Sequence, residues 1–271
     1  MLQAPAGTPA GTTAEVTIEA QSDQAPFPTA RATARVQVGA QVSGELGGAC
    51  ETNALPGAIV PCAHTIANTG LSDATFALTT TSSLGWENTI APPSLFVKAG
   101  ATATFTVTVK VPSSADAGAL QKLTVSARSS GGAEVAGKVV DAITVLRVTG
   151  VSIAPGQTRK PVAKQQVRFV HTLINTGNAP DSFTISATQQ RDWGIAISPM
   201  QTPILPRGAS YSITVLVQAP ADMPATAINQ IVVRATSDAD PRTYDQLVDL
   251  LTPDAAGSPE TVWFYQPVVA R

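Results

Sequence analysis

This chain of 271 residues contains most of itself twice, and that constrains its fold more than any other feature. Its only histidines, His64 and His171, stand 107 residues apart and head nearly the same stretch, HTIANTG and HTLINTG. Phe76 and Phe183 keep the spacing of 107, and so do Trp86 and Trp193. Gly100 and Gly208, Pro112 and Pro220, and Ser129 and Ser237 are each 108 apart, so the second copy gains one residue between Trp193 and Gly208. The repeat length is that of an ordinary domain. The histidines are therefore equivalent positions in two copies, not partners in one active site. With no carboxylate or metal partner recognised at matched offsets, both are expected to be structural.

Within each copy the pattern is apolar/polar alternation at period two. VRFVHTLIN, DSFTISA, SYSITVLVQ and NQIVVRATSD read as strands in the second copy, and AHTIAN, ATFALTT, ATFTVTVKV and QKLTVSARSS in the first. Short β-branched runs separated by Gly, Pro, Asn and Asp predict an all-β fold of two tandem Ig-like antiparallel β-sandwiches. No long segment of helical period competes. Asn68 with Gly70, and Asn175 with Gly177, are read as turn residues tolerant of positive φ. Trp86 and Trp193 are read as anchors between the sheets. The expected domains are 35–146 and 147–253, flanked by an N-terminal segment 1–34 and a C-terminal tail 254–271.

Charge excludes some functions. A net charge of -2 with 13% charged residues leaves no electrostatic footprint for nucleic acid or an anionic membrane surface. No apolar run reaches the ~18 residues of a spanning helix. Cys50 and Cys62 lie close together without metal-finger spacing, and a disulfide between them is preferred over two buried thiols. A disulfide argues for an oxidising compartment. Phosphate-binding glycine loops, a GxSxG elbow and HExxH are absent from the sequence. Asp238 and Asp240, in TSDADPR, are a weak calcium candidate. No catalytic residue, cofactor or metal is assigned, and the chain is not expected to be an enzyme.

The order NTG, a Phe-containing strand, a Trp, a glycine turn, a TxTVxVxxP strand and then AxS resembles the Ig-like repeats of bacterial secreted and envelope-associated proteins, a kind also found beside glycoside hydrolase modules. The resemblance covers about residues 60–130 and 167–238. It implies an extracellular β-sandwich spacer or interaction module, and it carries over no catalytic residue.

The repeat also has a partial third copy. EVTIEAQSD, from Glu15, aligns with KLTVSARSS and QIVVRATSD, and ATARVQV ends at Val38, 107 residues before Val145. Residues 15–38 thus look like the last two strands of a sandwich without the others. Such a hairpin could belong to a longer array, fold back as extra strands on the first domain, or be completed by another subunit. The tail holds the densest aromatic cluster, Trp263, Phe264 and Tyr265. Together with Val16, Ile18, Val36 and Val38 these residues form a predicted assembly interface. The resulting expectation is a non-catalytic extracellular or cell-surface protein. It would be a subunit of a surface layer, fibre or envelope complex, joined by strand addition at its termini to copies of itself or to other envelope proteins. The alternative is a spacer or carbohydrate-binding module of a larger secreted hydrolase, with a glycan as partner.

Overall fold

The computed structural model describes residues 3–5, 8, 11–26, 28–39, 42–129 and 137–253. The chain is all-β and divides into two compact units, one ending at Val145 and the other beginning at Leu146.

Unit 1 opens with a hairpin, β1 (Thr13–Gln21) and β2 (Thr29–Gln37). Its sandwich follows: β3 (Gly44–Gly47), β4 (Glu51–Ala54), β5 (Ile59–Asn68), β6 (Ala74–Ser82), β7 (Asn88–Ala91), β8 (Ser94–Val97), β9 (Thr102–Lys110), β10 (Leu120–Ser129) and β11 (Val139–Val145). These form two sheets, ordered β3-β5-β9-β7 and β4-β11-β10-β6-β8. Unit 2 contains β12 (Val151–Ala154), β13 (Thr158–Arg159), β14 (Gln166–Asn175), β15 (Phe183–Gln189), β16 (Gly194–Ser198), β17 (Ser210–Gln218), β18 (Asn229–Ser237) and β19 (Tyr244–Leu251). Its sheets, β12-β14-β17-β16 and β13-β19-β18-β15, repeat the topology of unit 1. Each unit is an Ig-like sandwich.

Period-two alternation builds both cores, because successive strand residues face opposite sides of a sheet. On β5, Val60, Cys62, His64, Ile66 and Asn68 face inward; on β14, Phe169, His171, Leu173 and Asn175 do so. Trp86 and Trp193 are each 8% exposed and sit in their cores, so neither indole offers an open face for stacking.

The two units close differently at one point. In unit 1, Cys50 and Cys62 form a disulfide that ties the segment before β4 to β5. The equivalent positions of unit 2 hold Gln157 and Phe169, and the Phe169 ring is fully buried. One copy thus uses a covalent bond where the other uses apolar volume. A loop this short restricts the unfolded chain by about 3 kcal/mol. Reduction is therefore expected to lower the denaturant midpoint of unit 1 by that equivalent and to leave unit 2 unmoved. Chemical denaturation with and without reductant, followed in a Trp193→Phe variant so that Trp86 reports on unit 1, checks this.

Both units end on antiparallel hairpins in one register. Leu123 of β10 lies opposite Asp141 of β11, and Ile231 of β18 lies opposite Asp249 of β19. In each unit a short parallel strand covers the outer edge of the final strand: β4 on β11 and β13 on β19.

Candidate assembly site

The repeated histidines were the first candidates for chemistry, and here the expectation needs correction. Each does have a carboxylate partner at a matched offset. His64 Nε2 approaches Asp141 Oδ2 at 3.2 Å, and His171 Nε2 approaches Asp249 Oδ2 at 2.9 Å. The sequence signal was a lone Asp at an inward-facing position of an apolar run, in VVDAITV and LVDLLT. The other carboxylate oxygen accepts a backbone N–H from the segment crossing between sheets, Cys50 at 3.0 Å and Gln157 at 2.9 Å. Burial pushes the Asp141 carboxyl up, while the neighbouring His64 and the Cys50 amide pull it down. Neither Nε2···Oδ2 approach is an aligned hydrogen bond. All four side chains are inaccessible to solvent. His64 stacks on Phe105 at 5.2 Å, and His171 Nδ1 lies 2.8 Å from the Pro155 carbonyl. A general acid or base must come within hydrogen-bond reach of a substrate, and nothing outside the core can reach these rings. The pairs join the two sheets of each sandwich.

The NTG residues also do something other than expected. Neither asparagine adopts positive φ, nor do Gly70 and Gly177. Asn68 and Asn175 end their strands fully buried and hold the chain around them by side-chain hydrogen bonds. Asn68 Nδ2 donates to the Ser72 and Val97 carbonyls, and its Oδ1 accepts from Gly70 N–H. Asn175 does the same with Ala179, Leu205 and Gly177. A Cβ on Gly177 would stand 2.7 Å from the Val148 carbonyl oxygen, which explains the glycine by close approach. Positive φ is found instead at Gly100 (74°) and Gly208 (72°), in the turns before β9 and β17.

Asp238 and Asp240 are engaged by protein donors. Asp238 accepts from Ser182, Thr184 and Gln201, and Asp240 from Arg242. Desolvation pushes Asp238 up, but these hydrogen bonds together bring its carboxyl below the usual range.

The surface left to account for is the hairpin. β1 and β2 pair only with each other, adding a strand to neither sheet of unit 1, so the fold-back alternative is not what is observed. Their register sorts the side chains by polarity. On one face Ala14, Val16, Ile18 and Ala20 lie opposite Val36, Ala34, Ala32 and Ala30. On the other, Glu15 faces Arg35, Thr17 faces Thr33 and Glu19 faces Arg31, the last as a 3.1 Å ion pair. This is the amphipathicity of a half-buried sheet, yet no residue of either strand is buried: Ile18 is 63% exposed and Val36 41%. Two strands alone are marginal in water, and an open apolar face with two free edges is a surface that proteins normally cover.

The pairing identifies which part of a sandwich this is. Val16 lies opposite Ala34, just as Leu123 lies opposite Asp141 and Ile231 opposite Asp249. The hairpin thus keeps the register of a final Ig-like hairpin, with alanine where each complete unit has its buried aspartate. Of the predicted interface residues, Val16, Ile18 and Val36 share the apolar face, and Val38 continues the strand by a backbone hydrogen bond to Thr12. Trp263, Phe264 and Tyr265 lie outside the described residues.

The comparisons agree on the fold. Residues 49–146, a little over a third of the chain, match the VWA7 Ig-like domain family. Among solved structures, the extracellular cadherin domains 1–5 of Protocadherin Gamma B2 superpose with a TM-score of 0.50 at 11% identity, over 89% of this chain and 45% of that one. Protocadherin Gamma C5 domains EC1–3 give 0.44 at 14% identity, over 90% and 78%. A protein of unknown function from Porphyromonas gingivalis W83 gives 0.33 at 12% identity, over 77% and 99%. No curated protein sequence matches the chain. The chain therefore has a generic Ig-like sandwich fold, of a class that typically serves adhesion or structure without catalysis.

Proposed function

We propose that this chain is a non-catalytic subunit of an extracellular or surface assembly, a layer, fibre or envelope complex, and that it associates by β-strand addition at its termini. The observation that carries this reading is the hairpin β1–β2, which has the register and face of a sandwich's last two strands with nothing packed on it. Strand addition supplies both missing contacts, main-chain hydrogen bonds along an edge and apolar cover for a face. The Cys50–Cys62 disulfide supports an oxidising location. The reading as a carbohydrate-binding module lacks such support, since Trp86 and Trp193 are buried.

Light scattering and negative-stain microscopy of the full chain, beside a chain lacking residues 1–38, test the proposal. The full chain is expected to form oligomers or filaments, and the truncated chain to be a monomer with both sandwiches intact. Monomers in both preparations would end this reading in favour of a spacer module.

A further inference from the structure

The deletion test asks whether the hairpin is used, not what covers it. The repeat supplies a candidate. In each complete unit, the outer edge of the final strand is covered by a parallel strand from the segment that enters the sandwich: β4 beside β11, and β13 beside β19. The hairpin lacks that strand, because the outer edge of β2 is unpaired. Carried forward by 108 residues, the positions of β12 fall on 259–262 and those of β13 on 266–267. By the repeat period, the tail ETVWFYQPVV thus occupies the place of an entering segment, and its sandwich is not among the described residues. The chain carries a sandwich's closing strands near one end and the sequence of an opening segment at the other.

Side-chain volume is complementary as well. The apolar face of the hairpin is made mostly of alanine, with only Val16, Ile18 and Val36 larger. Ala34 replaces the aspartate that, in each unit, binds the buried histidine and the backbone of the entering segment. The face asks for no polar partner and leaves room for large side chains, and the tail places Trp263, Phe264 and Tyr265 in succession. In a strand, alternate members of that triplet face one side.

We propose that residues 254–271 of a second copy are the occupant: they add as a strand to the outer edge of β2 and lay aromatic side chains on its alanine-rich face. This rests on the assembly reading above and makes it head-to-tail. The two surfaces in contact are different, so the association is heterologous and propagates from copy to copy.

Two full-length variants test it. Ile18→Glu spoils the hairpin face and keeps the tail; Trp263→Asp combined with Tyr265→Asp spoils the tail and keeps the hairpin. Thr17→Glu, on the polar face of β1, is the control for hairpin folding. The tail variant alters no residue of either sandwich, so a loss of assembly in it is not a loss of fold. Each disabled variant alone is expected to have the mass of one chain by light scattering, at concentrations where the parent and Thr17→Glu form larger species. Mixed in equal amounts, the two disabled variants are expected to form a species of two chains and stop there, since only one working contact can form. A tail variant that assembles like the parent overturns the proposal and leaves the assembly reading standing with hairpin-to-hairpin contact. Two variants that stay single when mixed also overturn it. A parent that is a single chain at every concentration overturns both readings.

Discussion

Replacing Asp249 with alanine is expected to destabilise unit 2 by about 3–5 kcal/mol, because it breaks a fully buried pair from one side. Its Oδ1 accepts the Gln157 N–H at 2.9 Å, and its Oδ2 lies 2.9 Å from His171 Nε2. Both side chains are inaccessible, so no water takes the place of the lost carboxylate. The substitution leaves an amide and an imidazole nitrogen unmet and opens a cavity between the sheets. Replacing His171 and Asp249 together by leucine removes the imidazole along with the carboxylate. The double variant is expected to recover much of the loss, short of the cost of the Gln157 amide. Urea denaturation of the parent, single and double variants checks both statements. A single-variant loss below about 1 kcal/mol would show that the pair does not hold the sheets together.

The second large effect is expected at Asn175. Its side chain satisfies three backbone groups in a site fully closed to solvent: the Ala179 and Leu205 carbonyls and the Gly177 N–H. Truncation to alanine leaves all three unmet, and each unmet buried group costs on the order of 1–3 kcal/mol. Asn175→Ala is therefore expected to destabilise unit 2 by about 3 kcal/mol or more. Aspartate at the same position keeps the acceptor for Gly177 but turns two donors into repulsion against carbonyls. Asn175→Asp is expected to be no better than alanine at neutral pH and to improve as the pH falls and the carboxyl gains a proton. Thermal unfolding across pH reads this directly. Asn68 has the same three kinds of partner in unit 1, so Asn68→Ala gives an internal replicate.

These two predictions concern residues whose importance was half visible in the sequence. The histidines and asparagines stood out because each occurs twice in nearly identical surroundings, and alternation placed them on inward-facing strand positions. Their roles were not visible. Asp141 lies 77 residues from His64, and Asp249 lies 78 from His171, on strands of the opposite sheet. Pairing across a sandwich depends on which sheets face each other, and local periodicity carries no information about that. The positive φ expected at NTG failed for a similar reason: the constraint on Gly177 comes from the Val148 carbonyl, brought close by packing.

By itself the sequence determined the class of fold, the duplication and its period, the inward face of nearly every strand, and the presence of a partial third copy. It could do so because each of these is a local pattern or a comparison of the chain with itself. Only the tertiary structure decided that Cys50 meets Cys62, that the repeated histidines are closed in against aspartates, and that β1 and β2 pair in the register of a final Ig-like hairpin without joining a sheet. Those facts depend on which distant segments come together, and therefore on how the whole chain buries its apolar faces at once. The hairpin is where this chain leaves such a face uncovered.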